Sequence, residues 1–274
     1  MKIRILLVKF FLRLSRFLSD TPVLILNPNQ IIEYQKINYR KKNIIRSWCD
    51  PKVLELGLSD EEKKGIDDIP FKEGSLLLLG VGGGREAIPL AKMGFQVTGV
   101  DFVEEMVQNA VKNAQKHGVE IKGKVFDISN PHLSKDCYDI VWMSASLYSC
   151  IPSRKKRIRM LKSLNKALKP GGYLFGSFQF DFNQEFSPIE EKLKQITAFL
   201  SLGNLHYEKG DIFFTSYEFI HRFVSQDSLV SEFEEGGFEV LKINFPTNDI
   251  KGYALLKAEE IEKNRFEKCP DEKP

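Results

Sequence analysis

The fold is decided by the stretch Ser75-Leu-Leu-Leu-Leu-Gly80-Val-Gly82-Gly83-Gly84-Arg85-Glu86. It is followed by Phe95-Gln-Val-Thr-Gly-Val-Asp101. A continuously apolar run that breaks into glycines, and then into a segment bearing alanine and leucine, predicts a buried parallel strand, a tight turn and the start of a helix. These residues therefore predict the first β-α-β unit of a nucleotide-binding sheet.

The spacing of the glycines discriminates between classes of nucleotide site. Glycines allow positive φ and let a ligand lie against the backbone amides, and an acidic residue at the tip of the next strand suits a ribose diol. A dinucleotide fingerprint requires Gly or Ala at the sixth position counted from Gly80, where this chain has Arg85. The pattern is G-x-G-x-G instead.

That spacing, together with the motifs that follow it, resembles the class I S-adenosylmethionine-dependent methyltransferases over residues 71–258. Tyr138–Met143 looks like the family's fourth strand, and Pro170-Gly171-Gly172 looks like the turn before its fifth. The resemblance implies S-adenosyl-L-methionine as cofactor, with Asp101 on the ribose hydroxyls, Phe102 beside the adenine and Asp127 facing the adenine amino group. The implied cofactor-binding residues are Gly80, Val81, Gly82, Gly84, Asp101, Phe102, Asp127, Ile128 and Ser144.

The resemblance also implies the architecture, which is α/β with a doubly wound, mostly parallel, seven-stranded sheet. We expect a basic amphipathic helix at 1–20, a helical cap and connector at 21–70, the methyltransferase-like domain at 71–258 and a charged tail at 259–274. Residues 181–224 are expected to form an insertion on the substrate side, with one strand from Asp211 to Val224.

One position departs from the family pattern. The family usually carries an acidic residue two positions before the first glycine, and this chain has Leu78 there. The amino group of the cofactor must then be held by backbone carbonyls, by water or by another carboxylate.

Composition and charge restrict the class of protein. Apolar residues make up 42% of the chain and charged residues 28%, as in ordinary soluble globular proteins. Residues 1–46 carry ten Lys or Arg against Asp20 and Glu33, whereas the remainder is mildly acidic. The four cysteines form no C-x-x-C pair and do not cluster with histidine, so no metal is predicted and a cytoplasmic location is expected.

Residues 2–18 have the periodicity of an amphipathic helix, with basic residues on one side and apolar residues on the other. Lys9, Arg13 and Arg16 interrupt the apolar run, which is therefore neither a signal peptide nor a spanning helix. Two interpretations stay open: the helix lies in a membrane interface, or it packs on its own domain. A break is predicted at Asp20–Asn29.

A second helix is predicted from Ile31 to Trp48. Its aromatic residues Tyr34, Tyr39 and Trp48 either form a lid over the cofactor or pack as ordinary core residues.

The acceptor is less constrained by the sequence. The sulfonium of the cofactor already activates its methyl group, so aligning a nucleophile and excluding water suffices, and a missing catalytic signature does not argue against the activity. The catalytic residue is unknown. Ser146 and Tyr148, after the fourth strand, are candidates for the acceptor pocket. His206 and His221 are either candidate bases or surface and satisfied core residues.

Three hypotheses follow. The first is a methyltransferase acting on a small-molecule or lipid-like acceptor, with residues 2–18 on a membrane surface. The second is a methyltransferase for RNA or protein that docks through the basic arm, although nucleic acid is the less favoured partner because the motifs typical of base methylation are absent. The third is a nucleotide-binding module without catalysis.

Overall fold

The computed structural model describes residues 2–131, 133–184, 186–215, 217–247 and 249–259. The helices and strands before the glycine turn are α1 (Lys2–Ile25), α2 (Pro28–Tyr39), α3 (Lys42–Trp48), α4 (Pro51–Glu55), α5 (Asp60–Asp67) and β1 (Gly74–Leu79). Those up to the fifth strand are α6 (Ala87–Lys92), β2 (Phe95–Asp101), α7 (Glu104–Lys116), β3 (Lys122–Val125), β4 (Tyr138–Met143), α8 (Arg154–Ala167) and β5 (Leu168–Phe180). The remainder are α9 (Pro188–Leu200), β6 (Asp211–Phe213), β7 (Phe219–Phe223), α10 (Gln226–Glu235), β8 (Phe238–Asn244) and β9 (Lys251–Ala258). The predicted tail lies, apart from Glu259, outside the described residues.

The seven-stranded, mostly parallel sheet is confirmed. Five parallel strands lie in the order β3-β2-β1-β4-β5. Strand β9 pairs antiparallel with β5, and β8 pairs antiparallel with β9 at the outer edge. Two further strands are added at the carboxyl end of β5, where Gln179 and Phe180 pair in parallel with Arg222 and Phe223 of β7.

The apolar run of β1 is continuous because both faces of the strand are buried. Leu77 and Leu79 belong to a core cluster completed by residues of α8 and α10. Leu76 and Leu78 point to the other face and pack with residues of α6 and α7. Successive side chains of a strand alternate between faces, so a sheet covered by helices on both sides requires apolar residues at every position.

The first N-terminal helix is longer than predicted. The predicted break at Asp20–Asn29 exists but is shorter, because α1 continues through Pro22 to Ile25 and α2 begins at Pro28, capped by Asn27. Val23 and Leu24 are fully buried against Ala198 of α9 and Phe219 of β7. That packing holds the last turn of α1 in spite of the backbone donor that proline lacks.

The insertion also differs in detail. The single strand predicted from Asp211 to Val224 is a hairpin, in which Asp211–Phe213 pair antiparallel with Phe219–His221. Thr215 Oγ1 accepts hydrogen bonds from the backbone N–H groups of Tyr217 and Glu218 and so stabilises the turn. The turn contains no glycine, so the sequence lacks the usual signal for a hairpin turn.

Two helices that contact each other expose apolar side chains. In α1 the exposed apolar residues are Ile5, Leu6, Leu7, Val8 and Phe11. In α9 they are Ile189, Leu193, Ile196, Phe199 and Leu200. Within the described part of the chain, no helix has the length and apolar content needed to cross a membrane.

Candidate active site

A cavity opens where β1, β2 and β4 end and the glycine turn begins. Seven of the sequence-predicted residues line it: Gly80, Gly82, Asp101, Phe102, Asp127, Ile128 and Ser144. The other lining residues come mainly from the N-terminal helices, from the segment after β4 and from the hairpin: Ile32, Gln35, Lys36, Tyr39, Trp48, Met106, Ser129, Ala145, Leu147, Cys150, Ile151 and Glu218. The structure thus brings the predicted cofactor residues together.

The glycine turn supplies a wall of backbone. Gly80 and Gly82 have φ of +78° and +50°, in the region that residues with a Cβ rarely adopt. The N–H groups of Gly80 and Val81 both donate to Val100 O, which fixes the turn on the end of β2. A Cβ on Gly82 would lie 4.0 Å from Trp48 Cε3, so the indole of α3 faces this turn.

Asp101 is the buried carboxylate of the cavity. Its Oδ2 accepts from the Gly82 N–H at 3.2 Å and its Oδ1 accepts from the Val103 N–H at 3.0 Å. Burial raises the pKa of Asp101 to about 6, although the backbone hydrogen bonds act to lower it. The geometry leaves further lone pairs of this carboxylate for hydroxyl donors.

Asp127 has a protein partner that the sequence did not indicate. Lys36 of α2 forms an ion pair with Asp127, with Nζ 2.8 Å from Oδ2. Ser129 donates to Oδ1 from both its N–H and its hydroxyl. Burial acts to raise the pKa of Asp127, but the hydrogen bonds from Lys36 and Ser129 outweigh it and hold this pKa below its ordinary value. The ion pair fastens α2 over the adenine side predicted for the cavity.

The hairpin contributes a third carboxylate to the cavity, Glu218, which sequence reasoning missed. Tyr39 donates its phenolic O–H to Glu218 Oε1 at 2.7 Å. The Tyr39 ring packs edge-on against both Phe102 and Tyr217. Burial, together with the nearby Glu218 carboxylate, raises the pKa of Tyr39 well above its ordinary value, so the phenol stays protonated.

The N-terminal aromatic residues divide between the two interpretations. Tyr39 and Trp48 line the cavity as a lid would, whereas Tyr34 packs edge-on against Phe213 and is partly exposed. The predicted helix from Ile31 to Trp48 is two helices, α2 and α3. The cover over the cavity is therefore built from both.

Two of the predicted cofactor residues stand behind the cavity wall. Val81 is buried in the core cluster that also holds Leu78. Gly84 lies against Ala110 of α7, where an added Cβ would come within 3.5 Å of the Ala110 Cα. Neither residue lines the cavity, and both support the glycine turn from the side that faces the core.

The prediction that Tyr148 borders an acceptor pocket is wrong. Its side chain is 1% exposed, donates to Glu232 Oε2 at 2.6 Å and stacks on Phe223 in the core. Ser146 is likewise buried, and its N–H donates to Ser177 Oγ. The residues after β4 that do reach the cavity are Ser144, Ala145 and Leu147.

His206 and His221 are a surface residue and a core residue, not candidate bases. His206 is exposed. His221 is 4% exposed, with Nδ1 2.7 Å from Asp211 Oδ1. Burial lowers the pKa of His221 to about 3 and raises that of Asp211 to about 7. Neither histidine lines the cavity.

A buried polar network lies behind the hairpin. Arg157 is fully buried and donates to both carboxylate oxygens of Glu232 at 2.8 Å, and also to Glu208 Oε2 at 2.7 Å. Glu208, Asp211 and His221 bring ligand atoms within 4.8 Å of one another. Each of the three already bonds to protein groups, and the guanidinium beside Glu208 opposes a cation.

The cavity has three features that suit S-adenosylmethionine. A carboxylate for the ribose, a turn without side chains and the apolar residues Phe102 and Ile128 line one continuous cavity. The strand order and this site at the strand ends define a class I methyltransferase fold.

Comparisons with known proteins agree with this class. Residues 76–172 match the sequence profile of the methyltransferase domain. A solved S-adenosylmethionine-dependent methyltransferase from Methanosarcina mazei superposes with a TM-score of 0.58 at 22% identity, covering 74% of this chain and 99% of that one. The chain therefore carries a methyltransferase domain, and it shares its fold with solved S-adenosylmethionine-dependent methyltransferases.

Several curated relatives carry the same name. The ubiquinone biosynthesis O-methyltransferase of Coxiella burnetii is 35% identical over 141 residues, which are 49% of this chain and 58% of the relative. That of Caulobacter vibrioides is 28% identical over 151 residues, which are 48% of this chain and again 58% of the relative. The chain thus spans less than two thirds of the length of the relatives it matches.

Proposed function

We propose that the protein transfers a methyl group from S-adenosylmethionine to an oxygen of an apolar, small-molecule or lipid-like acceptor. The observation that carries the proposal is the single cavity in which Asp101 and the glycine turn meet apolar side chains of α2 and of the segment after β4. The relatives named for O-methylation favour oxygen as the acceptor atom.

In this mechanism Asp101 would accept hydrogen bonds from the ribose hydroxyls of the cofactor, and the glycine turn would hold its amino-acid end. When bound, the cofactor supplies an electrophilic methyl group on a sulfonium. Ile32, Leu147 and Ile151 exclude water from the acceptor and align it, which is where most of the rate enhancement of a direct displacement arises.

Glu218 is the group proposed to take the acceptor's proton. It lines the cavity, and the Tyr39 hydroxyl orients one of its oxygens. A hydroxyl must lose its proton as it is methylated, and a positioned carboxylate contributes about 100-fold or more to such a step. Glu218→Gln should lower turnover by that factor and leave binding of S-adenosylhomocysteine unchanged.

The primary test is transfer of label from methyl-tritiated S-adenosylmethionine. We expect label in the organic phase with apolar phenols and catechols as acceptors, and none in RNA or protein. Calorimetry should detect binding of S-adenosylhomocysteine and no binding of NAD. Absence of S-adenosylhomocysteine binding would remove every methyltransferase proposal, whereas label in RNA would replace the acceptor proposed above.

We further propose that the protein docks on an anionic membrane surface. On α9, Ile189, Leu193, Ile196 and Leu200 recur at helical spacing on one side, which is exposed. The first half of α1 exposes apolar residues as well, and residues 1–46 carry a net charge of +8. An apolar stripe beside a basic segment suits the boundary between acidic headgroups and acyl chains.

Vesicle sedimentation tests this docking. The full chain should pellet with vesicles containing phosphatidylglycerol, and less with phosphatidylcholine alone. Leu193→Gln combined with Leu200→Gln, or deletion of residues 1–20, should reduce pelleting. Gln195→Ala, an exposed position on another side of α9, is the matched control and should change nothing. Equal pelleting of all variants would contradict the proposal.

A further inference from the structure

Because position 78 carries no acidic residue, the positive charge on the amino group of the cofactor needs another partner. Leu78 is fully buried in the core and points away from the cavity. The α-ammonium group of S-adenosylmethionine carries a positive charge that needs a partner once it leaves water. A carboxylate elsewhere in the chain should therefore stand near the amino-acid end of the cavity.

Glu86 is placed to meet this need. It stands two residues after Gly84, is 2% exposed, and is the last residue before α6. The hydroxyl of Ser144 donates to Glu86 Oε1, and Ser144 itself lines the cavity. The absent Cβ of Gly80 would lie 3.7 Å from the Ser144 Cβ, so this hydroxyl borders the glycine turn.

Glu86 shares its cationic partner with a second buried carboxylate, Glu62. Arg85 donates to both oxygens of Glu62, at 2.9 Å each, and also to Glu86 Oε1. Among the described residues, no other ion pair reaches either of these buried carboxylates. One guanidinium thus faces two carboxylates, and burial raises the pKa of Glu86, so a cation on the cavity side would favour its charged form.

Glu62 already has a structural role, since it caps α5 through the Ser59 N–H. Glu86 makes no such cap. Its contact with a cavity-lining hydroxyl is the feature that packing alone does not require.

We propose that Glu86, acting through Ser144, positions the α-ammonium group of the cofactor. A hydroxyl donates one hydrogen bond and accepts two, so Ser144 accepts from the ammonium group while its own proton is held by Glu86. Glu86 is a positioning residue in this scheme, and the inference rests on the proposed function to the extent that S-adenosylmethionine binds in this cavity.

The test compares two ligands by calorimetry. S-adenosylhomocysteine carries the amino-acid end, whereas 5′-methylthioadenosine has the same nucleoside and lacks it. Glu86→Gln should weaken S-adenosylhomocysteine about tenfold to hundredfold, because a charge-assisted hydrogen bond is lost, and should leave 5′-methylthioadenosine within about twofold. Ser144→Ala should give the same selective loss and decides the matter if the Glu86 variant does not fold.

Glu62→Gln is the matched control, because it removes a carboxylate of the same cluster that does not contact Ser144. It should leave the affinity ratio of the two ligands unchanged. Equal weakening of both ligands by Glu86→Gln, no weakening at all, or an equal selective loss in Glu62→Gln would overturn the inference. Failure of the unaltered protein to bind either ligand would instead overturn the proposed function.

Discussion

Replacing Asp101 by Asn tests whether the protein holds a buried charge in its cavity at the expense of stability. Burial raises the pKa of this carboxyl from 3.8 to about 6 in the folded protein. The folded state therefore binds the proton more tightly than the unfolded state does. It follows that the contribution of Asp101 to the free energy of unfolding is greatest below about pH 4 and falls as the pH rises to about 6.

The size of the effect follows from the two pKa values. The difference between 3.8 and about 6 corresponds to about 3 kcal/mol, at about 1.4 kcal/mol for each tenfold change in proton affinity. Asn does not titrate, but its amide NH₂ would face one of the two N–H groups, of Gly82 or Val103, that donate to Asp101. That mismatch costs about 1–3 kcal/mol at every pH. The stability of the variant relative to the native protein should thus rise by about 2–2.5 kcal/mol between pH 4 and pH 7, since the unfolded carboxyl is already partly ionised at pH 4.

Urea unfolding without ligand, measured for both proteins at intervals from pH 4 to pH 7.5, gives this double difference directly. Groups that titrate equally in both proteins cancel in it. A constant difference across this range would show that Asp101 keeps an ordinary pKa in the folded protein, and it would refute the reasoning. A difference that falls with pH would refute it as well.

Three further results are expected. Binding of S-adenosylhomocysteine, measured by calorimetry, should weaken about tenfold per pH unit below pH 6, where Asp101 takes up a proton and ceases to be a full acceptor; affinity independent of pH would contradict this. Arg157→Met should lower the free energy of unfolding by about 3–5 kcal/mol, because it removes the guanidinium that holds both carboxylate oxygens of the buried Glu232; a loss below about 1 kcal/mol in urea melts would contradict it. Gly83→Ala would place a Cβ 2.6 Å from Trp48 O, so it should displace the end of α3 and weaken S-adenosylhomocysteine at least several-fold, and unchanged affinity would argue against a cover formed by α3.

The sheet could be predicted from the sequence because its signals are local. A few consecutive residues suffice to predict each of its parts, namely the run Leu76–Leu79, the glycine turn and the fourth strand Tyr138–Met143. The strand ends then bring Asp101, Asp127 and Ser144 to one cavity, as parallel topology requires.

The contacts that close the cavity could not be predicted in this way. Lys36 meets Asp127, and Tyr39 meets Glu218, across long sequence separations. A lone Lys or Glu in such segments looks like any solvated charge, and only the tertiary arrangement reveals its partner. The turn at Thr215 adds to the difficulty, since a side-chain hydroxyl replaces the glycine that usually marks a hairpin.

The polar network around Arg157 explains how a hairpin outside the main sheet can hold Glu218 in the cavity. Arg157 of α8 joins Glu232 of α10 to Glu208, which stands just before β6. Glu208 in turn donates its N–H to Asp211 Oδ2, and Asp211 meets His221 across the two strands. Hydrogen bonds thus join the base of the hairpin to two helices of the domain. Loss of any one partner would leave a buried charge uncompensated, which is strongly destabilising, so this network holds the hairpin in one position. The turn at its far end then carries Glu218 to Tyr39, so loosening Arg157 should change the acceptor side of the cavity while the glycine turn and Asp101, fixed on β1 and β2, keep their places.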